Sequence, residues 1–345
     1  MTRAAACLAL LFAACAAAEE APAPEADQTR LAVSFGEEAS FATGLRVPGT
    51  RFGNLLIAQP SFTWRHAQRW RFAASLAAIG TTHGETHGQL RVKEAWAGLT
   101  AGDFDFSVGK KILRWGTGYA FTPTGVLDPP RVATDPTDRL NLNEGREMVA
   151  ADWVHGRHAI TAAWATAGLF EHNPAMRDTV AVRYNTLLKG FDTALVFAHD
   201  RGRRSFYGVN FTRVVGEAIE IHGEFAHRDG DAVLLGGKYT LRSGVSAIGE
   251  FYSPPAPRHG RYVFFNVGKS RLRELPGWKQ WDLAFSLLAN TSDGSRILFV
   301  DVTRRLRDNF SLTARAQAPG GKRGRSEYGM IPYSALLSIG FRCQI

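Results

Sequence analysis

Charged residues stand at every second position in segments whose intervening residues are apolar. Glu94, Lys111, Asp152, Arg183, Glu220, Glu224, Lys238, Glu250, Asp282 and Arg315 are all placed this way. A row holding both signs is chemistry for water and ions: it can line a wet passage, or pair into a network that fills one. It is poor chemistry for hydrolysis. A lipid-modifying enzyme needs Ser/His or Asp/His groups gathered at one rim, and His222 has only Glu220 and Glu224 as alternating neighbours. His83-Gly84-Glu85-Thr86-His87 alternates metal-ligand types, but a hydrated loop tip accounts for it as well. Gly268-Lys269-Ser270 resembles the end of a phosphate loop, yet Val263 stands where the leading glycine is required and a strand follows. No catalytic residue, cofactor or metal is expected, and the reading is non-enzymatic.

The elements that must carry these charges are strands. Phe104, Phe106 and Val108 alternate with Asp105, Ser107 and Gly109; Ile219, Ile221 and Phe225 with Glu220, His222 and Glu224; Phe310, Leu312 and Ala314 with Ser311, Thr313 and Arg315. This period of two continues along the chain and marks strands with one apolar face. The 345 residues are 45% apolar with 22 Phe and 35 Gly. Beyond residue 18 no apolar run approaches the ~20 residues that a helix needs to cross a bilayer, so an α-helical membrane protein is excluded.

The first residues set a compartment. Met1-Thr2-Arg3 is a short basic region, residues 4–15 are apolar, and Ala16-Ala17-Ala18 precedes Glu19. This is the pattern of a secretory signal peptide. The expected organisation is a signal peptide over 1–18 and a single β domain over 19–345, exported through the periplasm. Net charge is +9, with basic clusters at Arg201, Arg203, Arg204 and at Lys322, Arg323, Arg325. For an exported chain the fitting anionic partner is lipopolysaccharide rather than nucleic acid.

An exported alternating chain can be a soluble sandwich or a transmembrane barrel. Connection lengths separate the two. Those at 66–69, 101–103, 155–157, 187–190, 215–217, 242–244 and 304–308 are short; those at 37–53, 80–88, 114–146, 168–177, 253–260 and 318–332 are mostly longer, with 271–279 as an exception. Tight turns on one side and long loops on the other predict a transmembrane antiparallel up-and-down β-barrel in the cell outer membrane of a Gram-negative bacterium. About 18 strands are expected, with 14 or 16 also allowed. Pro60 falls inside a strand and predicts a bulge there. The ending Ser338-Ile339-Gly340-Phe341-Arg342-Cys343-Gln344-Ile345 fits the terminal strand read by the barrel-assembly machinery, with Gly340, Phe341 and Ile345 as the signal, although Ile345 stands where an aromatic residue is usual.

Glu94-Ala95-Trp96, Gly102-Asp103-Phe104-Asp105-Phe106-Ser107-Val108-Gly109-Lys110-Lys111, Arg114-Trp115-Gly116-Thr117-Gly118 and Pro123-Thr124-Gly125-Val126-Leu127-Asp128-Pro129 resemble a recurring core of bacterial outer-membrane porin-like barrels. Those are similar to the alginate-export porins and related uncharacterised barrels. The resemblance implies the class; the strand number and the candidate constricting loop point to a porin or export channel for small hydrophilic solutes or polysaccharide. A structural or envelope-assembly barrel without an open pore is the alternative, and a barrel-borne lipid-modifying enzyme a more distant one. The loop 114–146 is long enough to fold inward as a constriction, with Arg114, Trp115, Asp128 and Arg131 as its candidate residues. Outer-membrane lipid surrounds such a barrel.

Overall fold

Alternation builds the wall of the molecule. A computed structural model describes residues 27–45, 49, 51–67, 69–83, 85–130, 140–168, 177–255, 260–272, 277 and 279–345. The strands are β1 (Asp27–Thr43), β2 (Phe52–His66), β3 (Trp70–His83), β4 (Glu85–Ala101), β5 (Phe104–Lys111), β6 (Arg146–His155), β7 (His158–Ala165), β8 (Thr179–Leu188) and β9 (Phe191–Asp200). They continue as β10 (Phe206–Val215), β11 (Ile219–His227), β12 (Asp231–Thr240), β13 (Val245–Ser253), β14 (Tyr262–Lys269), β15 (Trp281–Asn290), β16 (Ser295–Arg307), β17 (Phe310–Gly320) and β18 (Ala335–Gln344). Each pairs antiparallel with its sequence neighbours, and β1 also pairs with β18, from Ser34↔Gln344 to Thr43↔Ala335. Reciprocal backbone bonds between Val33 and Ile345 at 2.8 and 2.9 Å complete the seam. The 18-stranded sheet is therefore a closed barrel with no free edge.

The period of two sorts the side chains. Phe104, Phe106 and Val108 are exposed on the outside, while Ser107 between them is buried inside. Leu195 and Phe197 face out, and Ala194, Val196 and Ala198 face in. The same holds for Ile221 and Phe225 against His222 and Glu224. An apolar exterior over a largely polar or small-residue interior is the pattern of a transmembrane barrel.

The structure corrects several expected boundaries. β1 runs on to Thr43, so the first connection is 44–51 rather than 37–53. β3 and β4 reach His83 and Glu85, leaving a tight hairpin in place of the loop 80–88. β17 continues to Gly320. Around 80–88 the strand ends carry Thr, His, Glu and Gly in place of apolar residues, so alternation fades while the ladder continues; the end of β1 is held on both sides, by β2 and β18. Pro60 produces no bulge: Ala58↔Ala78 and Ser61↔Ser75 hold the same β2–β3 register on either side of it. The bulge sits instead between β3 and β4, where the register shifts between Ser75 and Leu76 and Lys93 is the additional residue. Lys93 is buried as a result. The expected signal peptide, residues 1–18, lies outside the described residues. The side chains of His83 and Glu85 do too.

Candidate functional site

After β5 the chain leaves the wall and turns inward, and its backbone N–H groups lose their ladder partners. Each must find another acceptor. Glu94 Oε1 accepts from the Ile112 N–H at 3.0 Å at the point of departure. Asp128 then ties the loop to itself, accepting from the N–H groups of Trp115 at 2.6 Å and Gly116 at 3.3 Å. The next donors go to the barrel wall. Glu224 Oε1 on β11 accepts from the Thr117 N–H at 2.5 Å, the Thr117 hydroxyl at 3.1 Å and the Gly118 N–H at 2.9 Å. Its Oε2 accepts from the Thr124 N–H at 2.8 Å and hydroxyl at 2.7 Å. Glu250 on β13 accepts from the N–H groups of Tyr119 at 2.5 Å and Ala120 at 2.8 Å. Hydrogen bonds to ionised acceptors are the stronger kind, and two carboxylates receive most of this segment's donors.

Neutral and aromatic groups complete the seat. Asn210 on β10 donates to the Trp115 carbonyl at 3.0 Å and the Thr124 hydroxyl at 2.7 Å. The Tyr119 hydroxyl donates to Glu220 at 3.1 Å. His222, wholly buried between them, has Nε2 3.0 Å from Glu250 Oε1 and Nδ1 3.6 Å from Glu220 Oε1. Gly118 is required where it stands, because a Cβ there would come within 1.9 Å of the Phe121 carbonyl oxygen and 2.5 Å of Leu234.

Apolar packing fixes both flanks. Trp115 and Leu127 lie against Met148, Ala150, Ala163, Ala181 and Val196 on β6–β9. Ala120, Tyr119 and Phe121 lie against Phe264, Leu288, Ile297 and Phe299 on β14–β16, with Tyr328 of the last long connection. The returning limb meets the opposite wall. Gln59 on β2 donates to the carbonyls of Leu140 and Asn141 at 3.2 and 3.0 Å, and Arg342 on β18 to Leu140 at 3.1 Å. Glu144 pairs with Lys110 at 2.9 Å and Arg91 at 3.5 Å. The two limbs of one loop are thus bound to opposite sides of the lumen.

The charged residues singled out from the sequence divide into three groups. Glu220, Glu224 and Glu250 face inward, but Glu224 and Glu250 do not line water as expected; each is 3% exposed beneath the loop. Asp282 and Arg315 are paired along the wall: Asp282 with Arg305 at 2.7 Å, and Arg315 with Asp301 through Nε at 2.6 Å and Nη2 at 3.0 Å. The others hold local contacts. Lys111 donates to the Ser107 hydroxyl at 3.1 Å and stands 5.0 Å from the Trp96 ring centre. Asp152 accepts from the Thr161 hydroxyl at 2.5 Å. Lys238 lies 5.9 Å from the Tyr119 ring centre, and Arg183 is half-buried on β8. Of the expected constriction residues, Trp115 is buried in the wall packing and Asp128 is the loop's internal clasp, whereas Arg114 is exposed. Arg131 lies outside the described residues. Sequence reasoning missed Asn210, Thr124 and Tyr119. The inward alanines, among them Ala150, Ala163, Ala165, Ala181, Ala194 and Ala198, carried a signal for the loop's seat: a wall this thin leaves room for something to dock on it.

A closed 18-stranded antiparallel barrel, apolar outside and with a long loop folded within, is a porin-like transmembrane β-barrel. Comparison with solved structures agrees. OccK11 (OpdR) of Pseudomonas aeruginosa superposes with a TM-score of 0.60 at 11% identity, over 92% of this chain and 96% of that one. A mutant of the Rh. blastica porin gives 0.54 at 10% identity, over 92% and 100%. Likeness at this identity is one of fold. No family model and no curated protein matches the chain.

Proposed function

We propose that the chain is an outer-membrane porin, a passive channel for small hydrophilic solutes whose bore is set by the infolded loop. The observation that carries this reading is the anchoring of residues 117–124 to Glu224 and Glu250. A barrel of ~16 to 18 strands has a lumen wide enough for water. A rigidly held loop across part of that lumen narrows it. The exterior belongs in outer-membrane lipid, reached by export after removal of residues 1–18 and insertion by the assembly machinery at the β18 signal. A barrel-borne enzyme is disfavoured because His222, the best-placed base, has no exposed surface.

Reconstitution of the purified protein in planar bilayers tests this reading. Discrete conductance steps are expected, together with faster swelling of liposomes in small sugars than in larger ones. A bilayer that stays silent at high protein would favour the structural or assembly barrel instead.

A further inference from the structure

Between the seated loop and the wall lies a cavity of about 770 Å³. Its wall carries four arginines, Arg146, Arg177, Arg203 and Arg228, against two aspartates, Asp200 and Asp229. Asp200 is spent: it pairs with Arg228 and accepts from the Thr179 hydroxyl at 2.8 Å. Asp229 lies 4.0 Å from Arg204. The remaining guanidinium contacts are to neutral groups. Arg146 donates to the Arg177 carbonyl at 2.6 Å and the Thr179 hydroxyl at 3.2 Å, and Arg177 to the Arg201 carbonyl at 3.3 Å. Among the described residues, Arg146, Arg177 and Arg203 have no carboxylate within ion-pair distance. Nor do the nearest deep carboxylates offset them for a solute, since Glu224 and Glu250 are buried under the loop's N–H groups.

We infer that this vestibule captures small solutes bearing a carboxylate or phosphate group, and that the channel prefers anions. The inference rests on the channel reading above. Asp200 and Asp178 offset part of the charge of Arg146, but the arginines outnumber the carboxylates along this wall; such an excess of guanidinium groups at a channel mouth raises the local concentration of anions, and their planar forks suit carboxylate and phosphate oxygens. The loop's Pro123 and Val126 and the wall's Phe206 and Tyr252 give the cavity an apolar flank, which accommodates the carbon skeleton of a sugar-sized solute. Lipopolysaccharide offers the same phosphate chemistry. Here, however, Thr179, Phe206, Ala226 and Ala232 line the cavity from the inward face of the wall, which points to a dissolved solute rather than a lipid headgroup.

The test uses phosphatidylcholine bilayers free of lipopolysaccharide. The zero-current potential in a potassium chloride gradient should report chloride preferred over potassium. In R177Q/R203Q, which alters two exposed side chains, that permeability ratio should fall by at least about twofold, while R323Q in the last long connection leaves it unchanged. Gluconate on the outer side should add current noise to the parent channel and not to R177Q/R203Q, and glucose should add none to either. A conducting channel that prefers potassium, or a chloride preference untouched by R177Q/R203Q, would overturn the inference and leave the channel reading intact. Gluconate noise that appears only after lipopolysaccharide is added would assign the site to the lipid. Absence of any conductance would remove the channel reading itself.

Discussion

Glu224 and Thr124 lie 100 residues apart in the chain, yet one carboxylate oxygen accepts both the backbone N–H and the hydroxyl of the threonine, at 2.8 and 2.7 Å. The other oxygen serves Thr117 and Gly118. A side chain on the wall thus does for the loop what a neighbouring strand does for a strand.

Replacing Glu224 with Ala removes that acceptor and leaves several buried donors unmatched, at roughly 1 to 3 kcal/mol each and not additively. The ladder is untouched, so unheated protein should still migrate faster on gels than boiled protein. Conductance should become larger and noisier, with larger sugars admitted. Parent-like conductance in E224A would show that the loop is held without this carboxylate.

Gly236 on β12 lies against the second anchor. A Cβ there would come 2.4 Å from His222 Nε2 and 2.9 Å from Glu250 Cγ, so Gly236→Val should push the imidazole off Glu250. The temperature at which the fast gel band converts to the slow one should fall, and fall less for Gly236→Ala. Equal conversion temperatures for parent and valine variant would contradict the packing described for this face.

The last strand presents Leu337 and Ile339 to the outside, 50% and 70% exposed, and Ser338 to the inside opposite Arg315. An acid facing lipid is costly in a depth-dependent way, by up to about 2 kcal/mol. Ile339→Asp should therefore lower outer-membrane levels well below those of Ser338→Asp. Phe341→Asp should act in the same direction, since Phe341 lies on the same face of β18 as Leu337 and Ile339 and the change would also remove its stacking on Phe310, ring centres 5.9 Å apart. Equal levels for the inward and outward variants would mean that β18 faces the other way.

A pH dependence follows from Asp293, in the connection 291–294. Partial burial pushes its carboxyl up, but hydrogen bonds from the Ser295 hydroxyl and from the N–H groups of Glu327 and Ser295 prevail and hold it below the usual carboxylate range. A depressed folded value means that the stabilisation is complete above the unfolded value of ~3.9 and is lost as pH falls through the folded one. Pepsin cleavage at Tyr328 and Tyr333, in the connection that Asp293 holds, should rise only below that point. In Asp293→Asn the rise should disappear or move; an unchanged pH profile would detach Asp293 from the ordering of that connection.

Much of the barrel was legible because lipid imposes a strict rule. Phe104, Phe106 and Val108 must face one way, and the rule propagates strand by strand, giving the strand number and the parity of the connections. It failed where the alternation itself is weak. Thr81, Thr82 and His83 belong to a strand with no apolar neighbour to mark it, and Ser40 and Phe41 continue β1 past the expected loop. Lys93 reads as outward in any strict alternation, and only the shift between Ser75 and Leu76 turns it in. The site was half legible. Alternation singles out Glu224 and Glu250 as inward-facing charges, but that their partners are backbone N–H groups of residues 117–124 depends on contacts 100 or more residues apart. No local pattern encodes these.

Lys111 and Arg146, the two ends of the inward excursion, are direct partners in the β5–β6 ladder. The intervening chain is therefore an insertion into a hairpin that is already closed. Its bore and its seal against lipid are stored in different parts of the sequence, and a lineage could re-gauge the passage by lengthening, trimming or exchanging this single insert without renegotiating any strand register.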